Sequence, residues 1–131
     1  MLRNLHPNWL PVALGGALGA TARHLTSITT MNLFGTAFPW GTLLANGLGS
    51  FLIGLVAASM TDGSGEARKQ FLIAGFCGGY TTFSIFSLEL LIMLEARQMG
   101  TAAAYLGLSL AVWLSAVAAG YETGRRLGMR A

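Results

Sequence analysis

Residues 75–86 read Gly-Phe-Cys-Gly-Gly-Tyr-Thr-Thr-Phe-Ser-Ile-Phe, a glycine- and threonine-rich stretch within an otherwise apolar segment of membrane-spanning length. Irregular backbone at membrane depth is tolerated only where protein or an aqueous cavity satisfies the polar groups that leave the helix. Broken helices of this kind commonly build ion sites. Phe83 and Phe86, at the end of the stretch, are three residues apart and therefore share a helix face. The stretch predicts a broken membrane helix with an ion site.

The composition indicates an integral membrane protein. The chain has 131 residues, of which 53% are hydrophobic and only 10% charged, and its mean hydropathy is +0.59. A soluble domain has about 25% charged residues. A membrane helix needs about 20 apolar residues, and charge-free stretches occur at residues 4–22, 24–61, 70–88 and 98–121. A soluble all-helical core, the alternative, would need a charged face every turn or two.

We expect one all-α domain, residues 1–131, with four transmembrane helices. The third helix is expected to be interrupted near residues 78–81. The predicted helices cover about residues 9–30, 41–60, 68–95 and 102–124. Turns at 32–39 and 97–100 and a hydrophilic loop at 61–66 join them. A cleaved signal peptide is the alternative for the first helix, but its apolar run continues to Arg23 and three further segments follow.

The residues argue against an enzyme and against a side-chain metal site. A single cysteine, Cys77, rules out an intramolecular disulfide and a cysteine-based metal cluster. No CxxC, HExxH or phosphate-binding GxxxxGKS or GxxxxGKT pattern occurs, and His6 and His24 are isolated. We therefore expect no catalytic residue and no organic cofactor. The net charge of +3 is spread over loops and termini, which indicates membrane topology rather than nucleic-acid binding.

Small residues and positive charges bear on assembly and orientation. Small residues recur four apart, as at Gly15 and Gly19, and let membrane helices pack closely. Four thin helices do not easily enclose an aqueous path, so we expect at least a dimer. Six positive residues on the side of the termini oppose two on the other side, which favours cytoplasmic termini. The six are Arg3, Arg68, Lys69, Arg125, Arg126 and Arg130, and the two are Arg23 and Arg97.

Polar residues within the apolar segments are functional candidates because they are costly in hydrocarbon. One interpretation of Arg23 is a fixed positive charge at the mouth of an anion path; the alternative is a side chain that reaches the membrane interface. The Asn46 amide can donate to an anion, or it can join two helices. Tyr105 and Ser109 share a face of the fourth helix, although serine commonly bonds to its own helix.

Glu89 and the two phenylalanines are the remaining candidates. Glu89 lies three residues after Phe86 and either faces the interface or lines a polar track on that helix face. By spacing alone, Phe83 and Phe86 are ordinary packing residues. An aromatic ring nevertheless has a positive edge, and conduction requires binding that compensates dehydration but permits release. Ring edges together with asparagine and serine donors suit a passing anion.

Three motifs, in order along nearly the whole chain, resemble those of the small fluoride channels of the CrcB/Fluc family. GGALGATAR at residues 15–23 resembles the first-helix motif that ends in arginine, and PWGTLLAN at residues 39–46 resembles the GTLxxN motif. Residues 75–86 and the following Ser-Leu-Glu resemble the signature GfcGGxTTFSTFSxE. This combination in a chain of four predicted spans is highly specific.

The resemblance implies an antiparallel, dual-topology homodimer with two fluoride pores in a prokaryotic cell (inner) membrane. It implies that the paired phenylalanines, the asparagine and polar residues of the fourth helix line each pore. Backbone carbonyls of Gly78 and Thr81, with those of the second subunit, would bind a structural Na⁺ at the dimer interface. The candidate pore residues are Arg23, Asn46, Phe83, Ser84, Phe86, Glu89, Tyr105 and Ser109.

Three features depart from the family pattern. Ile85 replaces a usual threonine and removes one hydroxyl from the track that Ser84 and Glu89 would continue. Trp113 stands one turn beyond Ser109, where another small hydroxyl residue is expected. The charge count of six against two differs from the near-zero bias that insertion in both orientations requires.

We therefore expect a passive, fluoride-selective channel that exports cytoplasmic fluoride and gives fluoride resistance. A four-helix proton-coupled multidrug or cation exporter is the first alternative, but it needs a carboxylate in its first helix. This chain has Arg23 and no acid there. A membrane subunit that does not transport is the second alternative, and it would leave the broken helix, Asn46 and the phenylalanines with packing roles only.

Overall fold

The computed structural model describes residues 9–60 and 65–128, and in these residues it is all-helical, without a strand. Residues 61–64 of the expected loop at 61–66 lie outside the described residues. Arg3, His6 and Arg130 also lie outside them. A long helical stretch at 66–80 starts with Glu66–Lys69, continues as the π-helical turns Gln70–Cys77 and ends with Gly78–Tyr80. We label the helices α1 (Trp9–Phe34), α2 (Trp40–Ser59), α3 (66–80), α4 (Phe83–Glu95) and α5 (Met99–Gly128).

Three of the described segments are long and apolar enough to cross a membrane. They are α2, the segment Glu66–Glu95 that contains α3 and α4, and α5. The predicted membrane character of these segments is therefore confirmed. α1 has 26 residues, a sufficient length, but it does not reach the same hydropathy because it carries Arg23, His24 and several threonines. That α1 also spans the membrane stays a prediction.

Glycines set how closely the helices approach. A Cβ on Gly19 would clash with the backbone carbonyl of Phe76, so α1 and the π-helical part of α3 touch backbone to backbone. In the same way Gly120 of α5 lies against the carbonyl of Phe51 in α2. Dispersion contacts at such short range drive helix packing in lipid. Two close helix pairs, α1 with α3 and α2 with α5, therefore frame the break between α3 and α4.

The helix ends differ from the expected ones by a few residues. α1 continues past residue 30 to Phe34, where Gly35 ends it with the positive φ of 77° that glycine accommodates. α5 begins at Met99 rather than near 102, because the turn before it is made by Arg97 at a φ of 57°. A hydrophobic pattern does not predict which single residue adopts left-handed backbone torsions.

The helix break lies at Thr81 and Thr82, whose backbones are extended at φ −85°, ψ 154° and φ −152°, ψ 121°. The expected interval near 78–81 contains Thr81 but begins too early, because Gly78 keeps helical torsions of φ −62° and ψ −37°. Both the amide and the hydroxyl of Thr81 still donate to the Cys77 carbonyl at 2.9 Å. β-Branched residues favour extended backbone, and α3 ends at Tyr80 with Thr81 as its C-cap.

Candidate functional site

Asn46 of α2 binds the broken backbone directly. Its side chain is buried, and its Nδ2 donates to the Thr82 carbonyl at 2.8 Å. Its Oδ1 accepts from the Thr82 amide at 2.7 Å. A backbone polar group without a partner costs several kcal/mol in a membrane. The amide of Asn46 therefore acts as a substitute peptide that stabilises the break, in addition to any contact with an ion.

Thr82 also starts α4. Its hydroxyl accepts from the Ile85 amide at 3.3 Å, as an N-cap residue does. The same hydroxyl lies 3.3 Å from the Ser84 hydroxyl, and Ser84 is exposed. The remaining amides of the first turn have no partner within their own helix, and the helix dipole makes this end positive. The start of α4 is therefore favourable to negative charge.

The end of α3 has the opposite character. Its last carbonyls have lost their helical partners, and the helix dipole makes this end negative. Arg23 of α1 donates from Nε to the Gly79 carbonyl at 3.3 Å. The half-buried Arg23 thus satisfies a helix C-terminus, and it is held on α3 rather than on the phenylalanine-bearing α4.

Glu89 joins three helices through its two carboxylate oxygens. Thr42 of α2 donates to Oε1 at 2.9 Å, and Tyr105 of α5 donates to Oε2 at 2.6 Å. Both distances lie in the range of well-formed O–H···O hydrogen bonds, and the bond from Tyr105 is at the short end of that range. Thr42 and Glu89 line a cavity of about 400 Å³ that reaches the turn between α1 and α2. Glu89 therefore lies between an open cavity and the buried Tyr105.

The two phenylalanines have different environments although they share a helix. Phe86 is only 3% exposed, with its ring centroid 5.0 Å from that of Tyr105 and 4.8 Å from that of Trp113. The Trp113 contact is edge-to-face, at 73° between the ring planes. Phe83 is 73% exposed and lies 5.7 Å from Phe86. Phe86 is a buried contact between α4 and α5, whereas Phe83 faces out of the chain.

Two buried donors on α5 have no hydrogen-bond partner among the described residues. Ser109 is 0% exposed, and neither its Oγ nor Nε1 of Trp113 has a hydrogen-bond partner within residues 9–60 and 65–128. Leaving a buried donor unpaired costs about 1–3 kcal/mol. Trp113 lines a second cavity, of about 210 Å³, together with Asn46 and both threonines of the break.

Of the predicted site residues, Phe86, Glu89 and Tyr105 are joined by direct contacts between α4 and α5. Asn46 binds Thr82 at the break, and Ser109 is buried on α5, one turn after Tyr105. Phe83 and Ser84 are on the outside of the chain, and Arg23 and Gly78 belong to the α3 end. The structure adds Thr42, which is four residues before Asn46 and so shares its helix face, a signal the sequence already contained.

Acidic, histidine and cysteine side chains do not form a metal site in the part of the chain that the structure describes. The remaining candidates for a cation are backbone carbonyls at the end of α3. Gly78 is exposed there, and its carbonyl would normally accept from the Thr82 amide, which binds Asn46 instead. Backbone carbonyl oxygens are ligands of the kind that a hard cation such as Na⁺ accepts.

Residues 10–121 match the family model described as CrcB-like protein, Camphor Resistance (CrcB). The chain belongs to the CrcB family. Among its CrcB relatives, a protein of Cereibacter sphaeroides is 50% identical over 116 residues, which cover 88% of this chain and 93% of the relative. A protein of Agrobacterium fabrum is 46% identical over 119 residues, covering 88% and 94%. A protein of Acidobacterium capsulatum is 44% identical over 122 residues, covering 91% and 97%. All three are named fluoride-specific ion channel FluC.

Proposed function

We propose that this CrcB protein is a passive, fluoride-selective ion channel. The observation that carries the proposal is the position of Phe86 between two cavities. Its ring contacts Tyr105, which bonds to Glu89 beside the larger cavity, and Trp113, which lines the smaller one. The names and near-full-length similarity of the relatives support fluoride as the ion.

The proposed conduction path runs from the Glu89 cavity past Phe86 to the break. Hydroxyl and amide donors replace part of the water shell of fluoride without adding a full positive charge. The positive edge of Phe86 attracts the ion weakly. Conduction requires binding that is strong enough to compensate dehydration and weak enough to allow release. The buried hydroxyl of Ser109, one helical turn from both Tyr105 and Trp113, is a donor of this kind.

A second copy of the chain completes the proposed path. Phe83 is 73% exposed and Gly78 is also exposed, so both would be covered at a dimer interface. We propose an antiparallel, dual-topology homodimer with two pores, in which Phe83 is enclosed. Carbonyls of Gly78 and Thr81 from both subunits would hold one structural Na⁺ where the two breaks meet. When bound, this ion would neutralise the negative ends of the two α3 helices.

The proposed role in the cell is export of fluoride across the prokaryotic inner membrane, which gives fluoride resistance. Hydrogen fluoride crosses lipid as a weak acid and dissociates in the more alkaline cytoplasm. A negative-inside potential drives the anion outward by about 2.3 kcal/mol per charge per 100 mV, so a passive pore suffices. A proton-coupled exporter has less support, because Glu89 already accepts two hydrogen bonds and α1 contains no carboxylate.

Fluoride efflux from liposomes that contain the purified protein tests the proposal. Liposomes are loaded with potassium fluoride or potassium chloride, and valinomycin is added to compensate the charge. We expect rapid fluoride efflux and chloride efflux no faster than from protein-free liposomes. Equal efflux of both anions, or none of fluoride, would refute a fluoride-selective channel.

A further inference from the structure

Trp113 carries a polar group that the packing of the described residues does not satisfy. Its Nε1 is buried and has no hydrogen-bond partner among the described residues. An indole nitrogen can only donate, so its partner must be an acceptor. The Ser109 hydroxyl, one helical turn earlier and on the same face, is likewise buried and without a protein partner there. Two donors on one side of α5 therefore lack an acceptor within residues 9–60 and 65–128.

We infer that the indole N–H of Trp113 is a fluoride-binding donor of the conduction path, an inference that rests on the fluoride-channel function proposed above. The Trp113 ring meets Phe86 edge-to-face, and Trp113 lines the cavity that also contains Asn46 and the threonines of the break. An ion that moves from Phe86 towards this cavity passes the Trp113 side chain, because Trp113 contacts Phe86 and also lines the cavity. The indole donor takes the place of the small hydroxyl expected at this position.

Packing alone does not account for a tryptophan here. Phenylalanine would supply a similar aromatic contact to Phe86 without a donor to satisfy. A buried donor is normally retained only where it has a partner. Fluoride suits this donor because electrostatic attraction increases as the distance falls, and the smallest halide approaches an N–H most closely. A neutral donor also avoids the trapping that a positive charge would cause.

The direct test observes the indole protons of the intact protein in lipid nanodiscs. The chain has three tryptophans, Trp9, Trp40 and Trp113, and therefore three indole N–H signals in a ¹⁵N-correlated spectrum. Trp9→Phe and Trp40→Phe assign the signals by elimination, without changing Trp113. The unsubstituted protein is then titrated with potassium fluoride and, separately, with potassium chloride. Trp9, exposed at the start of α1, is the internal control.

We expect the Trp113 signal to move saturably with fluoride and not with chloride, while the Trp9 signal stays in place. In Trp113→Phe, half-maximal fluoride flux should require a fluoride concentration about tenfold higher, because one hydrogen bond to a charged partner is lost. A Trp113 signal that ignores fluoride, or responds equally to chloride, would overturn the inference and leave bound water as the partner. That result together with normal fluoride flux would leave the channel function intact, whereas absence of flux through the unsubstituted protein would count against the channel itself.

Discussion

The side-chain amide of Asn46 binds both the backbone carbonyl and the backbone amide of Thr82. It thus replaces the two hydrogen bonds that these groups would make in a continuous helix. The two distances, 2.8 Å to the carbonyl and 2.7 Å from the amide, are those of a well-formed pair. The break is therefore a stabilised element of the fold. Because α2 carries Asn46, the position of α2 also fixes the position of the start of α4.

Asn46→Ala should destabilise the protein as well as reduce fluoride flux. The substitution leaves the amide and carbonyl of Thr82 without their partner, at a cost of about 1–3 kcal/mol for each group. Thermal unfolding of the detergent-solubilised protein measures the effect. Asn32→Ala, at an exposed position of α1, is the matched control and should unfold like the unsubstituted protein. Equal stability of the two variants would show that the Asn46–Thr82 pair does not hold the break.

Phe83→Ile and Phe86→Ile should both reduce fluoride flux but differ in stability. Each removes an aromatic edge from the proposed path. Phe86 is buried against Tyr105 and Trp113, so its substitution should also lower the unfolding temperature, whereas the exposed Phe83 makes few such contacts within one chain. Dimer assembly, measured by size-exclusion chromatography with light scattering, should be unchanged. Unchanged fluoride flux in both variants would show that the two rings contribute to packing and not to conduction.

Tyr105→Phe tests the hydrogen bond to Glu89 separately from the aromatic contacts. The ring remains next to Phe86 and Phe38, but the 2.6 Å donor to the carboxylate is lost. We expect fluoride flux to fall severalfold and stability to fall by about 1–3 kcal/mol. Tyr121→Phe, which removes an exposed hydroxyl from the same helix, is the control. If both variants conduct alike, the carboxylate bond has no part in conduction.

Two glycines of α5 should respond oppositely to alanine. A Cβ on Gly120 meets the Phe51 backbone, which cannot move aside, so Gly120→Ala should cost about 1–3 kcal/mol or more. A Cβ on Gly107 meets open space, and alanine there should stabilise the helix by up to about 1 kcal/mol. Unfolding temperatures of the two variants compare them directly. A stable Gly120→Ala protein would contradict the backbone contact between α2 and α5.

The sequence was sufficient to predict the helices but not their ends or the residues they bring together. The glycine- and threonine-rich stretch predicted a break, yet its position at Thr81 and Thr82 depends on Asn46, 36 residues away. A hydrophobic pattern reports only on nearby residues, so it does not predict that Asn46 binds Thr82. The ends at Gly35 and Arg97 likewise depend on single left-handed residues.

The same limit applies to the candidate site. Spacing placed Phe83 and Phe86 on one face of a helix, but only the packing of α5 distinguishes the buried ring from the exposed one. Glu89 was a candidate because it is a carboxylate in an apolar segment, whereas its partners come from two other helices. Trp113 departs from the family pattern in the sequence itself, whereas the burial of its N–H and the lack of a partner among the described residues are features of the structure alone.

The reversal potential of the current through the purified protein in a planar bilayer tests the proposed fluoride channel most directly. With a tenfold fluoride gradient and equal chloride on both sides, a channel that conducts only fluoride reverses at the fluoride equilibrium potential, about 59 mV in magnitude. We predict that value. A reversal potential near zero, or no current above that of the lipid alone, would contradict fluoride-selective conduction.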